Sequence, residues 1–214
     1  NARELSDPAR AFADSPRRTI SLDLEHSACG PMYGSSKSSA EEARDSSQQF
    51  GKAHYEQHMS VRGRLQIEDE VLEIQGLGLR DHSWGPRYWQ AIHGYEWLTI
   101  NFSPDFGAMI SVIRRDPESE KKAGVIIRND EFILIKDVTI ETEYEENGLY
   151  HKGLDVTIET HEGETIEIRG DVENFIPLRN RRAGLQTHIG EGMTRWQCGD
   201  QVGYGLSEYL KQVD

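Results

Sequence analysis

"WLTINFSPDFGAMISVI", Trp97–Ile113, is the stretch on which the fold turns. Apolar and polar residues alternate through LTINF, GAMISVI is an apolar run broken by Ser111, and the intervening SPDF contains the turn formers Pro104 and Asp105. A period of two sends successive side chains to opposite faces of a strand. Two such runs about a short turn read as a β-hairpin.

The same figure recurs on both sides. SVRGRLQI and VLEIQGLGLR flank Glu68–Glu70; GVIIR and EFILI flank Asn129 and Asp130; LDVTIET and TIEIRGDV flank HEGE; THIGEGMTRWQC and VGYGLSEYL flank Gly199–Gln201. Roughly ten to twelve strands at this spacing, with almost no helical period, point to a sandwich or a closed up-and-down barrel. Sequential hairpins with little crossover material favour the barrel, because closure removes exposed edges. The expectation is an all-β chain: an antiparallel, up-and-down, lipocalin-like barrel of about ten strands in residues 51–214, preceded by a polar extension or linker in residues 1–50. One strand-like run, TISLDLEHS from Thr19, lies in that extension, and the Ser-rich segment Gly34–Gln49 reads as a linker or long loop.

The formal charge of -13 and the pI near 5.1 exclude the basic footprint that nucleic acid or an anionic membrane surface requires. No apolar run approaches the roughly 20 residues of a membrane span, and no signal segment opens the chain. A cytoplasmic location is the resulting expectation. The first residue is Asn1 rather than Met, which suggests a preceding module. Cys29 and Cys198 lie far apart with no partner at zinc spacing; His54 and His58 fall on one strand face, the remaining histidines show no ligand spacing, and neither a metal nor a cofactor is expected.

The chemistry-bearing segment is "GLGLRDHSWGPRYW", Gly76–Trp89. By alternation, Arg80, His82 and Trp84 share a face with Leu72 and Ile74, whereas Asp81 and Ser83 share the other with Leu77 and Leu79. If Leu72 and Ile74 point into the barrel, the Arg, His and Trp do too. Asp81, His82 and Ser83 cannot form a nucleophilic relay, since neighbours on a strand face opposite ways. On the next strand Tyr95, Trp97, Thr99 and Asn101 form a matching face. Glu208 is the one acid of the terminal strand, and Glu56 stands similarly alone in HYEQ. Candidate catalytic residues are His82 and Glu208; candidate ligand-binding residues are Arg80, Asp81, Trp84, Arg87, Trp97, Asn101 and Glu56. A polar staple, closing one barrel end by cation–π contact between SWG and Arg80 or Arg87, is the competing reading.

Together with HYEQ and GMTRWQCGDQVGYGLSEYL, the Arg-Asp-His-Ser-Trp-Gly stretch resembles the C-terminal half of a bacterial lipocalin-like family related to the hydroxyneurosporene synthase (carotenoid 1,2-hydratase) group, over about Phe50–Leu210. The resemblance implies an N-terminal barrel in the full-length chain and a cavity lined by a His and a Trp two residues apart, which His82 and Trp84 match. It also implies an Asp acid on the following strand; here that strand offers Thr99 and Asn101, and Asp105 falls in the turn. Three readings stand open: binding of an apolar, lipid-like or isoprenoid molecule; a cofactor-independent lyase, hydratase or isomerase in which His82, with Glu208 or Glu56, moves a proton; and a structural half of a two-barrel protein.

Overall fold

The computed structural model describes residues 7–36 and 51–213. A short helix, α1 (Pro8–Asp14), is capped by Asp7, whose side chain accepts from the Arg10 amide. Three long strands follow: β1 (Ile20–Ser36), β2 (Ala53–Ile67) and β3 (Glu70–Trp84). After a one-turn 3-10 segment (Trp89–Ala91) come β4 (Gly94–Ser103), β5 (Phe106–Arg114), β6 (Lys121–Arg128), β7 (Glu131–Tyr144), β8 (His151–Thr160), β9 (Thr165–Arg182), β10 (Leu185–Cys198) and β11 (Gln201–Val213).

Among the described residues, β4 to β11 close an antiparallel barrel of eight strands in which each strand pairs with its sequence neighbours and β11 returns to β4. The all-β, up-and-down expectation holds, with a smaller barrel than about ten strands. The quoted hairpin is β4–β5, with Leu98 opposite Ile110 and Ile100 opposite Ala108. Asn129 and Asp130 both take positive φ, 51° and 65°, as a two-residue hairpin turn of that hand demands.

The barrel interior is filled rather than hollow along Leu98, Ile100, Ile110, Ile126, Leu154, Val156, Ile158 and Trp196, all nearly or fully buried. Trp196 is the largest of these side chains. Its indole donates to the Thr99 carbonyl at 2.9 Å. Gly170, opposite it on β9, makes the space: a Cβ there would lie 2.4 Å from the indole.

The main correction concerns β1 to β3. They form their own three-stranded sheet, in the order β1-β2-β3, outside the barrel. The barrel therefore starts at Gly94 rather than at residue 51, and the expected boundary between residues 50 and 51 falls between β1 and β2 of one sheet. Ile20–Ser36 is strand rather than loose extension; residues 37–49 of the expected linker lie outside the described residues. Alternation alone marks β2 and β3 as strands but does not say which sheet they join.

The sheet lies against the barrel's outer wall at one end. Tyr33 packs on Phe132 beside Met109, Val125 and Ile127, and the His58 ring bonds the Ser103 carbonyl at 2.9 Å. Further out its two faces differ. One carries the ion pairs Arg62–Glu25 and Arg64–Glu73. The other carries Leu22, Leu65 and Leu72 in register, with Ile20 and Ile67 beyond, and Leu22 is 60 % exposed.

Candidate functional site

Which face of each strand is dressed with polar groups determines where a site can form. On β4 the even positions Leu98 and Ile100 point into the barrel, so Tyr95, Trp97, Thr99 and Asn101 lie on its outer wall. On β2 the positions His54, Glu56 and His58 face that wall, and β3 brings Asp81 alongside, paired in register with Glu56. Between sheet and wall opens a cleft of about 370 Å³, lined among others by His54, Glu56, Asp81, Arg87, Trp97 and Glu208.

Glu56 is the deepest of these polar groups, at 3 % exposure. The Trp97 indole donates to it at 2.7 Å, and the His54 ring lies 3.1 Å away. Burial pushes the Glu56 carboxyl up to about 7, against the pull of His54 and Trp97. His54 Nε2 sits 2.7 Å from Asp81 Oδ1. That bond raises the His54 pKa and lowers that of Asp81, as for an imidazolium paired with a carboxylate. Glu208, opposite Trp97 on β11, accepts from the Tyr95 hydroxyl and is likewise raised by burial. Arg87 donates to Ser83 at 2.9 Å and lies over the Trp89 ring. Its charge also lowers the titration of Asp81 and Glu208.

Of the residues expected from sequence, the structure thus brings Glu56, Asp81, Arg87, Trp97 and Glu208 together on one cleft. It does not bring Arg80, His82 or Trp84 there. The expectation that these three point into the barrel fails because Leu72 and Ile74, taken as core markers, lie on the uncovered face of a separate sheet. Arg80, Tyr55, His82 and Trp84 instead form an outward ladder. His82 stacks on Tyr55 at 5.3 Å, the Arg80 guanidinium lies 5.2 Å from the same ring, and Trp84 is 47 % exposed. Asn101 is buried on the wall, donating to the Tyr204 carbonyl at 2.9 Å, and does not line the cleft. Asp105 occupies the β4–β5 turn.

Sequence reasoning missed His54 as a cleft residue, and it placed Tyr95 on the lining face without counting it among the candidate site residues. A signal for His54 existed: His54, Glu56 and His58 repeat at the strand period, so they share a face, and Glu56 was already singled out.

The closed, up-and-down, eight-stranded antiparallel barrel has the architecture of a lipocalin-like fold, here with a polar cleft on its outer wall. More narrowly, the chain belongs to the family described as a domain of unknown function (DUF7064), whose profile matches residues 4–213. A similar solved structure is that of a Nitrosomonas europaea protein to which the name AttH has been provisionally given. The two share 17 % identity with a TM-score of 0.61, over 92 % of this chain and 64 % of that one, so the likeness is one of fold. The chain thus spans 64 % of that protein's length. No curated protein matches it. Among the described residues no helix is long and apolar enough to cross a membrane.

Proposed function

We propose that the chain binds a small molecule in the cleft between the flanking sheet and the barrel wall, and not in the barrel interior. The observation that carries this reading is the convergence of Glu56, Trp97, Tyr95 and Glu208 on one concave space while the barrel core is packed with aliphatic side chains. At about 370 Å³ the cleft falls at the lower end of small-ligand sites, roughly 300–1,000 Å³. Tyr95, Trp97, Ile92 and Ile113 offer an apolar surface, and the carboxyls of Glu56 and Glu208 accept hydrogen bonds. The fitting ligand has an apolar body, of lipid-like or isoprenoid kind, and a hydroxyl or amine head.

Native mass spectrometry of the purified chain tests this. A copurifying compound is expected, and Trp97→Ala should weaken its rebinding at least tenfold, about 1.4 kcal/mol. Undiminished binding to Trp97→Ala would place the compound elsewhere and end the reading.

A second observation favours a partner. Among the described residues, the flanking sheet has two open edges, β1 and β3, and one uncovered apolar face. Such a surface is covered in a working assembly. A further β unit of the full-length protein, the N-terminal barrel that the sequence resemblance implies, is the proposed cover. In the isolated chain this face should bind the dye ANS, and Leu22→Lys with Leu72→Lys should cut that signal severalfold. An unchanged signal would count against it.

A further inference from the structure

From the grouping of His54, Glu56 and Asp81 we infer that the inner end of the cleft holds one divalent first-row metal ion, of the manganese, iron or zinc class. The inference deepens the ligand reading above, but only the use of the ion's outward positions rests on it.

The geometry of two paired strands supports it. β2 presents His54 and Glu56 from one face, two residues apart, and β3 presents Asp81 directly opposite Glu56. His54 Nε2 lies 2.7 Å from Asp81 Oδ1 and 3.1 Å from Glu56 Oε1, and the three donor atoms lie within 4.8 Å of one another. Metal–ligand bonds of about 2.1 Å put neighbouring ligands of an octahedron about 3.0 Å apart; the His54–Glu56 edge, at 3.1 Å, has that length, and the His54–Asp81 edge, at 2.7 Å, is slightly shorter. Three ligands on one triangular face leave the opposite positions open. All three side chains line the cleft, whose wall also carries Tyr95 and Glu208.

Charge and support agree with the geometry. Two carboxylates and one neutral imidazole balance a dication, and the mixed oxygen and nitrogen set suits first-row metals better than calcium. Glu56 is out of water, so a cation beside it removes the cost of its charge. The Trp97 indole, donating to Glu56 Oε1, fixes the carboxyl's orientation from behind, as outer partners of metal ligands do. The grouping is therefore more than a set of surface acids: it has an imidazole, a buried member and a clamp.

The test uses the whole chain, free of any tag and treated with chelator, titrated with Mn²⁺ and followed by calorimetry and electron paramagnetic resonance. One ion per chain is expected, with a rise in thermal midpoint. His54→Ala and Asp81→Asn, both at partly exposed positions and so compatible with folding, should each weaken binding at least tenfold. Glu146→Gln, in an exposed turn, should leave it unchanged. No binding up to millimolar Mn²⁺, or binding by His54→Ala and Asp81→Asn as tight as by the natural chain, overturns the inference. A copurified compound that still rebinds after chelation would overturn the use of the ion's outward positions while leaving the cleft reading in place.

Discussion

Replacing Trp196 by alanine is expected to cost about 3–5 kcal/mol of folding stability, the range for truncating a buried large aromatic. The side chain is fully buried, at 0 % exposure, and spans the barrel from β10 to the β4 backbone. Two losses add. The packing around the indole becomes a void, because Gly170 opposite has no side chain to fall into it. The Thr99 carbonyl loses its indole donor, a further 1–3 kcal/mol in order of magnitude when the acceptor stays dry. Trp196→Phe keeps most of the volume and should lose much less. Guanidinium denaturation of the two variants beside the natural chain checks this. Equal, small losses for both would mean that the core does not close around this ring.

Replacing His188 by methionine should change how stability responds to acid. His188 is 1 % exposed, neither ring nitrogen has a hydrogen-bond partner among the described residues, and burial depresses its pKa to about 4. His151, beside it, is bonded through Nε2 to Ser207 and stacked on Tyr209, and burial likewise holds it to about 4. A histidine whose pKa is lower folded than unfolded binds its proton more readily in the unfolded chain. Its contribution is complete above about pH 6.5 and is lost as the pH falls towards 4, by about 3 kcal/mol for a shift of this size. Glu191, raised by burial to about 7, works in the opposite sense over the same window, and so does Glu56. The natural chain therefore shows a muted pH profile, and the informative quantity is a difference. Between pH 7.5 and pH 4, His188→Met should gain about 3 kcal/mol relative to the natural chain. A gap that stays constant with pH would mean that His188 titrates as it does in water. Arg179 and Lys211, the positive groups paired to His188 in register, reinforce the depression.

How much of this was readable beforehand follows from what alternation can and cannot encode. The hairpins from Gly94 onward were readable because each is local: two alternating runs and a turn such as Asn129–Asp130 suffice. The sheet to which β2 and β3 belong was not, since pairing partners are a property of the whole chain. That single ambiguity inverted the faces. Taking Leu72 and Ile74 as core put Arg80, His82 and Trp84 inside, whereas the odd-numbered Asp81 and Ser83 face the barrel. Trp97 and Glu208 were legible as an aromatic and a solitary acid in otherwise uniform strands, although on the outer wall rather than in a lumen. Asn101 shared their face but sits farther along it, tied to the Tyr204 backbone.

The seam between β4 and β11 has a kinetic meaning. Every other junction of the cylinder joins neighbours in sequence, but here Tyr95 meets Glu208 across 113 positions. Ordering so long a loop costs entropy that no local turn repays, so the ribbon should curl early and zip shut last. Until then its two terminal rims are bare, and a molecule stalled at that stage is the one most able to stitch itself to a neighbour.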